Sequence, residues 1–218
     1  MEVGSIDTKH KYWKARSEKC AAALEKKGFN VSCCDDATAA REEVIRIAGQ
    51  PETVGFGGSQ TTRVLGLVEY FRDQGCQIFD HWVEGLSKEE SSKVRRAQLT
   101  SDVFLASANA LTMDGCIINL DGFGNRVSAS IFGPKKIILV VSANKITNSV
   151  EEGINRARQV AAPLNYMGKE RNTPCAITGE CIGCQMPRKE CRVLTIVEGV
   201  PKGSPNYHIV IVAKDIGF

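Results

Sequence analysis

Four cysteines in the C-terminal part of the chain carry its clearest chemical signal. Cys175, Cys181, Cys184 and Cys191 follow the spacing C-x5-C-x2-C-x6-C. Thiolates are soft ligands that select zinc, Cu(I) or an iron–sulfur cluster, and a C-x2-C pair can reach one centre from a tight turn. No histidine lies in the segment, and it has no second C-x2-C pair. The spacing therefore favours a [4Fe–4S] cluster, with zinc as the alternative.

A glycine-rich turn between a strand and a helix is the second candidate site. A short strand is predicted at residues 53–56, Gly57, Gly58 and Ser59 follow it, and a helix then continues to about residue 74. Such a turn lets backbone N–H groups approach an anion closely. Ser59 and Thr61 can donate to a phosphate or carboxylate, or can cap the helix. Neither a dinucleotide-binding motif nor a P-loop is predicted, because the spacing matches neither.

Polar residues near the ends of other predicted strands are further candidates, because open α/β sheets bind ligands beyond the carboxyl ends of their strands. These residues are Asn109, Asp114, Asn119, Asp121, Asn125, Arg126, Asn144 and Lys145. Arg126 is the best of them for a bidentate grip on a carboxylate or phosphate. Lys145 is expected to be a surface lysine. Asp114 and Asp121 flank one strand, so we expect their carboxylates at opposite ends of it, and no nucleophilic triad is indicated.

The alternation of strands and helices predicts a three-layer α/β fold with a parallel or mixed sheet. Strands are predicted at 29–33, 53–56, 77–79, 103–106, 116–120, 137–141, 193–197 and 208–212. The cysteine-rich segment, residues 172–192, interrupts this alternation, so we predict one domain over residues 1–218 with an inserted metal loop. A right-handed crossover before the insertion would direct it away from the carboxyl ends of the strands. We therefore expect that the loop does not line the anion cleft.

Composition excludes some classes of protein. The net charge of +3 is made of interspersed charges of both signs, which gives no electrostatic case for nucleic-acid binding. No apolar run reaches about 18 residues, so no membrane span is expected. Nine cysteines without a secretory leader favour a reducing cytoplasm.

Several short motifs together resemble one known family. They are Asn109-Ala-Leu-Thr-Met-Asp-Gly115, Asn119-Leu-Asp-Gly-Phe-Gly-Asn-Arg126, Phe132-Gly-Pro134, Asn144-Lys145, Thr173-Pro-Cys175, the cysteine run and Asp215-Ile-Gly-Phe218. Their combination resembles the LUD domain family, the lactate-utilisation proteins, and in particular its small stand-alone members with a four-cysteine motif. The resemblance covers nearly the whole chain and is strongest from Ser101 to Phe218.

This resemblance implies a fold similar to the CoA-transferase, ribose-phosphate-isomerase and glucosamine-phosphate-isomerase group. It also implies a role beside iron–sulfur proteins in the oxidation of L-lactate to pyruvate. The chain departs from the family at Met113, where relatives tend to carry an acidic residue. Asp114 is then the only acid at that place and the only candidate catalytic residue.

Two classes of function remain open. The first is an iron–sulfur or other metal-binding accessory or redox subunit in the oxidation of L-lactate or a related organic acid, working with iron–sulfur protein partners. The second is an isomerase- or transferase-like enzyme for a phosphorylated sugar or acyl-CoA, with a structural zinc site. The cysteine run favours the first class, and the Gly57–Ser59 turn with Arg126 favours the second. Whether the chain is catalytic alone or forms a homo-oligomer stays open.

Overall fold

A six-stranded parallel sheet forms the centre of the computed structural model, which describes residues 3–218 and the side chains from residue 8 onward. The strands of the described chain are β1 (Asn30–Cys34), β2 (Thr53–Phe56), β3 (Gln77–Asp80), β4 (Val103–Ala106), β5 (Ala110–Thr112), β6 (Ile117–Asp121), β7 (Lys136–Ser142), β8 (Ile146–Thr147), β9 (Val193–Val197) and β10 (Tyr207–Val212). The central sheet has the order β1-β10-β7-β4-β2-β3, and the order β8-β5-β6-β9 forms a second, smaller sheet.

Helices cover both faces of the central sheet. They are α1 (Val3–Lys26), α2 (Ala37–Ala48), α3 (Gln60–Val64), α4 (Leu67–Asp73), α5 (Lys88–Ala97), α6 (Asn125–Ala129), α7 (Val150–Arg156), α8 (Ala162–Met167) and α9 (Pro174–Thr178). A π-helical turn, Ala157–Ala161, joins α7 to α8. None of these described helices combines the length and the apolar character needed to cross a membrane.

The apolar run of β7 accounts for its central place in the sheet. Its alternate side chains contribute to two different cores, because successive residues of a strand point to opposite faces. Ile137, Leu139 and Val141 pack with α1 and the second sheet. Ile138 and Val140 pack with α2 and α4 on the other face. A strand buried on both faces needs apolar residues at every position, so the predicted three-layer α/β fold is confirmed.

All eight predicted strands are present, each to within one residue at either end. The prediction missed β5 and β8, which pair with each other in parallel. It also gave no indication of the second sheet, to which β9 belongs through its antiparallel pairing with β6. This pairing determines where the cysteine-rich segment lies, because that segment leads directly into β9.

Candidate functional site

A cavity of about 710 Å³ opens at the carboxyl edge of the central sheet. Gly57, His81, Ser107 and Lys145 line it, and they follow the ends of β2, β3, β4 and β7 respectively. Residues of α8 and of the turn after it line another part. Open α/β sheets bind ligands beyond the carboxyl ends of their strands. This cavity lies where that rule predicts a binding site.

Most of the residues predicted to bind an anion surround this cavity. Those that line it are Gly57, Gly58, Ser59, Asp121, Asn125 and Arg126. Thr61 and Asn119 lie behind the lining, where Thr61 accepts a hydrogen bond from Lys145 and Asn119 accepts one from Arg126. The structure thus brings together residues that are more than sixty positions apart in the sequence.

The two glycines of the turn are required by close packing. A side chain at Gly57 would place its Cβ 2.8 Å from Phe104 Cζ and 2.9 Å from the Cβ of Ala106. Gly58 has a φ of +71°, and a Cβ there would lie 2.9 Å from Trp82 Nε1. Of the two roles predicted for Ser59, the structure shows capping, because its hydroxyl accepts from the backbone N–H of Thr62 at 3.3 Å.

Lys145 is the main correction to the sequence prediction, because it is a buried residue with only 1% of its surface exposed. Its Nζ donates to Thr61 Oγ1 at 3.1 Å and to Ser107 Oγ at 3.2 Å. Burial, followed by the nearby Arg156 and Arg126 guanidinium groups, lowers the pKa of Lys145 to about 7. Its position just after β7 predicted that Lys145 lies near the site. No residue close to it in the sequence indicates that other segments bury it.

Arg126 lies at the predicted site but does not offer the predicted bidentate grip. Its Nη1 donates to the carbonyl of Ser107 and to Asn119 Oδ1, and its Nη2 donates to Asn109 Oδ1 and to the carbonyl of Leu120 at 2.6 Å. Both terminal nitrogens are thus engaged with protein acceptors. Arg126 therefore ties the loop between β4 and β5 to β6, and it contributes a positive charge beside the cavity.

The two predicted aspartates lie at opposite ends of β6, as expected. Asp121 accepts from the backbone N–H groups of Gly122, Arg126 and Val127, so it holds the start of α6. Asp114 is exposed in the turn between β5 and β6, bonds to Thr112, and does not line the cavity. Its candidacy as a catalytic residue therefore stays a prediction without support from this cavity.

A buried glutamine, which the sequence analysis did not identify, bonds to several residues around the site. The Gln98 amide nitrogen lies 2.7 Å from the carbonyl of Phe56 and 3.0 Å from His81 Nδ1, and its Oε1 accepts from Asn125 at 3.0 Å. The pKa of His81 is lowered to about 4, mainly by burial. The imidazole is therefore neutral at pH 7. His81 directly follows β3, so the rule that ligands bind beyond the carboxyl ends of strands (the strand-end rule) could have identified it.

An aromatic residue and a lysine form one rim of the cavity. The Lys169 ammonium lies 4.8 Å from the centre of the Trp82 ring. Although the Lys169 side chain as a whole is exposed, burial of its ammonium and then the charges of Arg126 and Arg171 lower its pKa to about 8. Trp82 is held by the buried Asp80, which accepts from its backbone N–H and pairs with Arg63.

The expectation that the cysteine-rich segment avoids the cavity is wrong, because Glu190 and Cys191 line it. The segment returns to the cavity because it must enter β9, which pairs with β6. The backbone N–H of Arg192 donates to the carbonyl of Asp121 at 2.8 Å. At Gly122, a Cβ would lie 2.7 Å from the carbonyl of Glu190, so only glycine allows this close approach.

The four cysteines of the segment carry free thiols. Burial raises the pKa of Cys191, and the neighbouring Cys184 and Cys181 thiols raise it further. Cys175 is buried 3.4 Å from Thr173 Oγ1. Among the described side chains, no three cysteines, histidines or acids converge closely enough to hold a metal ion. The donor chemistry suits a soft metal, but the thiols as placed do not form a complete ligand set.

Comparisons with known proteins agree with this architecture. The model of the LUD domain family matches residues 17–212. The crystal structure of a DUF162 family protein from Deinococcus radiodurans is similar, with a TM-score of 0.52 and 17% sequence identity over 92% of this chain and 97% of that chain. At this identity the likeness concerns the fold alone. No curated protein matches the chain.

Proposed function

The chain belongs to the LUD domain family, and from this premise we propose that its cavity binds a small organic acid. In this proposal the protein is an accessory or redox subunit in the oxidation of L-lactate or a related acid. Iron–sulfur proteins are its partners.

The carrying observation is an excess of positive charge beside the cavity. Lys145 and Arg126 line the cavity, and Arg156 donates beside them to two backbone carbonyls. Among the described side chains, no carboxylate lies at ion-pairing distance from any of the three, and Asp215 and Asp121 act on them only from further away. Charges taken out of water without a partner of opposite sign are costly. A bound carboxylate would supply the missing negative charge.

Ligand-induced stabilisation tests this proposal. L-Lactate and pyruvate should raise the melting temperature, because a ligand that binds only the folded state stabilises it, by about 2.7 kcal/mol at a hundredfold excess over Kd. Lactamide is the matched control ligand, since it keeps the shape of lactate but lacks the charge. Lys145→Met should remove the shift, whereas Lys136→Met, at the opposite edge of the same sheet, should retain it. No shift with any of a panel of carboxylates would contradict the proposal.

We also propose that Cys175, Cys181, Cys184 and Cys191 hold a [4Fe–4S] cluster, after local rearrangement of the segment that carries them. The free thiols and the effect of Cys184 and Cys181 on the pKa of Cys191 support this assignment. Protein purified without oxygen should be brown and contain iron and sulfide. Cys181→Ser with Cys184→Ser should remove both, whereas Cys76→Ser should not. Zinc in place of iron would favour a structural site.

A second candidate function is an isomerase- or transferase-like enzyme that acts on a phosphorylated sugar or an acyl-CoA. The observation in its favour is the pKa of Lys145 near 7, which suits a general acid or base at neutral pH. The cavity volume also exceeds the need of lactate alone and falls in the range of pockets for larger ligands. Turnover of such a substrate by zinc-containing, colourless protein would select this function over the first.

A further inference from the structure

We propose that Lys145 is a nucleophile that forms an imine with the carbonyl carbon of a 2-oxo acid bound in the cavity. This inference rests on the proposed function, because the 2-oxo acid belongs to the class of small organic acids assigned to the cavity. It goes further by assigning a covalent step to one atom, the Nζ of Lys145, and by selecting carbonyl acids over hydroxy acids.

The hydrogen bonds of Lys145 leave one direction of its nitrogen open. A protonated lysine has three N–H donors, whereas a neutral one has two donors and one lone pair. The protein supplies two acceptors, Thr61 Oγ1 and Ser107 Oγ. Ser107 Oγ can itself donate to the carbonyl of Ala108 at 3.4 Å, so it is free to accept from the lysine. Two hydroxyl acceptors therefore match the two donors of a neutral amine, and the lone pair is left for a ligand.

The surroundings of Lys145 favour its neutral form while they attract an acid. With 1% of its surface exposed, the amine has little contact with the water that would stabilise its charge. Arg126 and Arg156 remain charged at any pH of interest. Their charges disfavour protonation of Lys145, with a pKa lowered to about 7, yet attract the carboxylate of a ligand. Buried lysines with lowered pKa values are the ones that form imines with carbonyl compounds.

Imine formation needs neither an oxidant nor a metal, because its only by-product is water. The Nζ lone pair attacks C2 of the 2-oxo acid, and one N–H proton passes to the carbonyl oxygen to give a carbinolamine. The hydroxyl then leaves with the remaining N–H proton as water, and a C=N bond replaces the C=O bond. L-Lactate cannot take this path because its C2 carries a hydroxyl group in place of a carbonyl.

Reductive trapping tests the inference on the intact wild-type protein. Pyruvate with cyanoborohydride should add one group per chain, with a mass equal to pyruvic acid less one oxygen atom, and peptide mapping should place it at Lys145. At pH 7 Lys145 should be labelled faster than the exposed lysines, because more of its amine is neutral. L-Lactate with the same reductant should add nothing. Lys145→Arg should abolish the label, and Lys136→Arg should keep it.

The outcomes separate this inference from the proposed function. If pyruvate raises the melting temperature but no label forms at Lys145, the imine is wrong and the anion cavity stands. If the label spreads over exposed lysines without preference for Lys145, the imine is equally wrong. If pyruvate neither stabilises nor labels the protein, both proposals fail. The wild-type measurement keeps these outcomes distinct even if Lys145→Arg does not fold.

Discussion

Two charged sites at opposite edges of the central sheet differ in how their charges are compensated. At the amino edge, Asp102 accepts from Lys135 Nζ at 2.7 Å, from the backbone N–H of Thr53 at 2.9 Å and from that of Glu52 at 3.1 Å. At the carboxyl edge, Lys145 lies buried with only hydroxyl groups as partners. The charge of Asp102 is thus compensated within the protein, whereas Lys145 has no carboxylate at ion-pairing distance among the described side chains.

This difference separates residues that stabilise the fold from residues that are available for function. Charges with complete partners contribute to stability, whereas a buried charge without a counter-charge lowers stability and is retained where it serves a site. Arg126 belongs to both groups. It lines the cavity, but its terminal nitrogens bond to protein acceptors. Substitutions of these charged residues can therefore test the comparison, because the change in the free energy of unfolding shows which charges stabilise the fold.

The largest effect is expected for Arg126→Met. The substitution removes one donor from the side-chain oxygens of Asn109 and Asn119, and one from the carbonyls of Ser107 and Leu120. Losing the donor to several enclosed acceptors should reduce the free energy of unfolding by about 3 kcal/mol. Urea denaturation measures this change, and the exposed Arg158→Met is the control. A loss similar to that of the control would mean that Arg126 serves the ligand rather than the fold.

A smaller loss is expected for Asp102→Asn at the amino edge. The hydrogen bond from Lys135 is the main cause that lowers the pKa of Asp102 from 3.8 to about 2, and Thr53 adds to it. A lowered carboxyl pKa stabilises the fold above the unfolded value and loses that effect as the pH falls through the folded value. Asp102→Asn should therefore cost about 2 kcal/mol at pH 7. The difference from wild type should shrink between pH 4 and pH 2, and a constant difference would contradict this explanation.

The strands could be predicted from sequence because each carries its own local pattern. The apolar run of β7 and the glycines after β2 are signals within a few residues. By contrast, β5 has three residues between Asn109 and the Asp114 turn, which is too short for a periodic pattern to emerge. The second sheet depends on the pairing of β6 with β9, and these strands lie too far apart in sequence for local signals to connect them.

The candidate site was predictable in position but only partly in its chemistry. The strand-end rule located the Gly57 turn, Asp121 and Arg126, and the structure places all three around one cavity. The buried state of Lys145 could not be predicted, because Thr61 on α3 and Ser107 after β4 contact it from distant parts of the sequence. Cys191 reaches the cavity because β6 pairs with β9. The right-handed crossover before the insertion does not account for this pairing, so the prediction placed the cysteine-rich segment away from the cavity.

The only gain in stability is expected for Lys145→Met, and it is smaller than the losses at Arg126 and Asp102. Methionine has a similar shape and no charge, so it should raise the free energy of unfolding by about 1 kcal/mol at pH 7. The pH dependence follows from a folded pKa of about 7 against the ordinary lysine pKa of 10.5 in the unfolded chain. Between these values the unfolded chain binds more protons, so the stability of wild type rises with pH. The advantage of the variant should therefore decrease from pH 7 towards pH 10.

Lys135→Met is the matched control from the other edge, since Lys135 is an exposed lysine whose pKa is raised by Asp102. Its loss should lower stability slightly, with an effect that salt removes, because exposed ion pairs are weak and screened. Opposite signs for the two lysines, measured by urea denaturation at pH 7, would support the division between the edges. A loss of stability in Lys145→Met would contradict it, because Lys145 would then be a residue that the fold needs rather than a charge kept for a ligand.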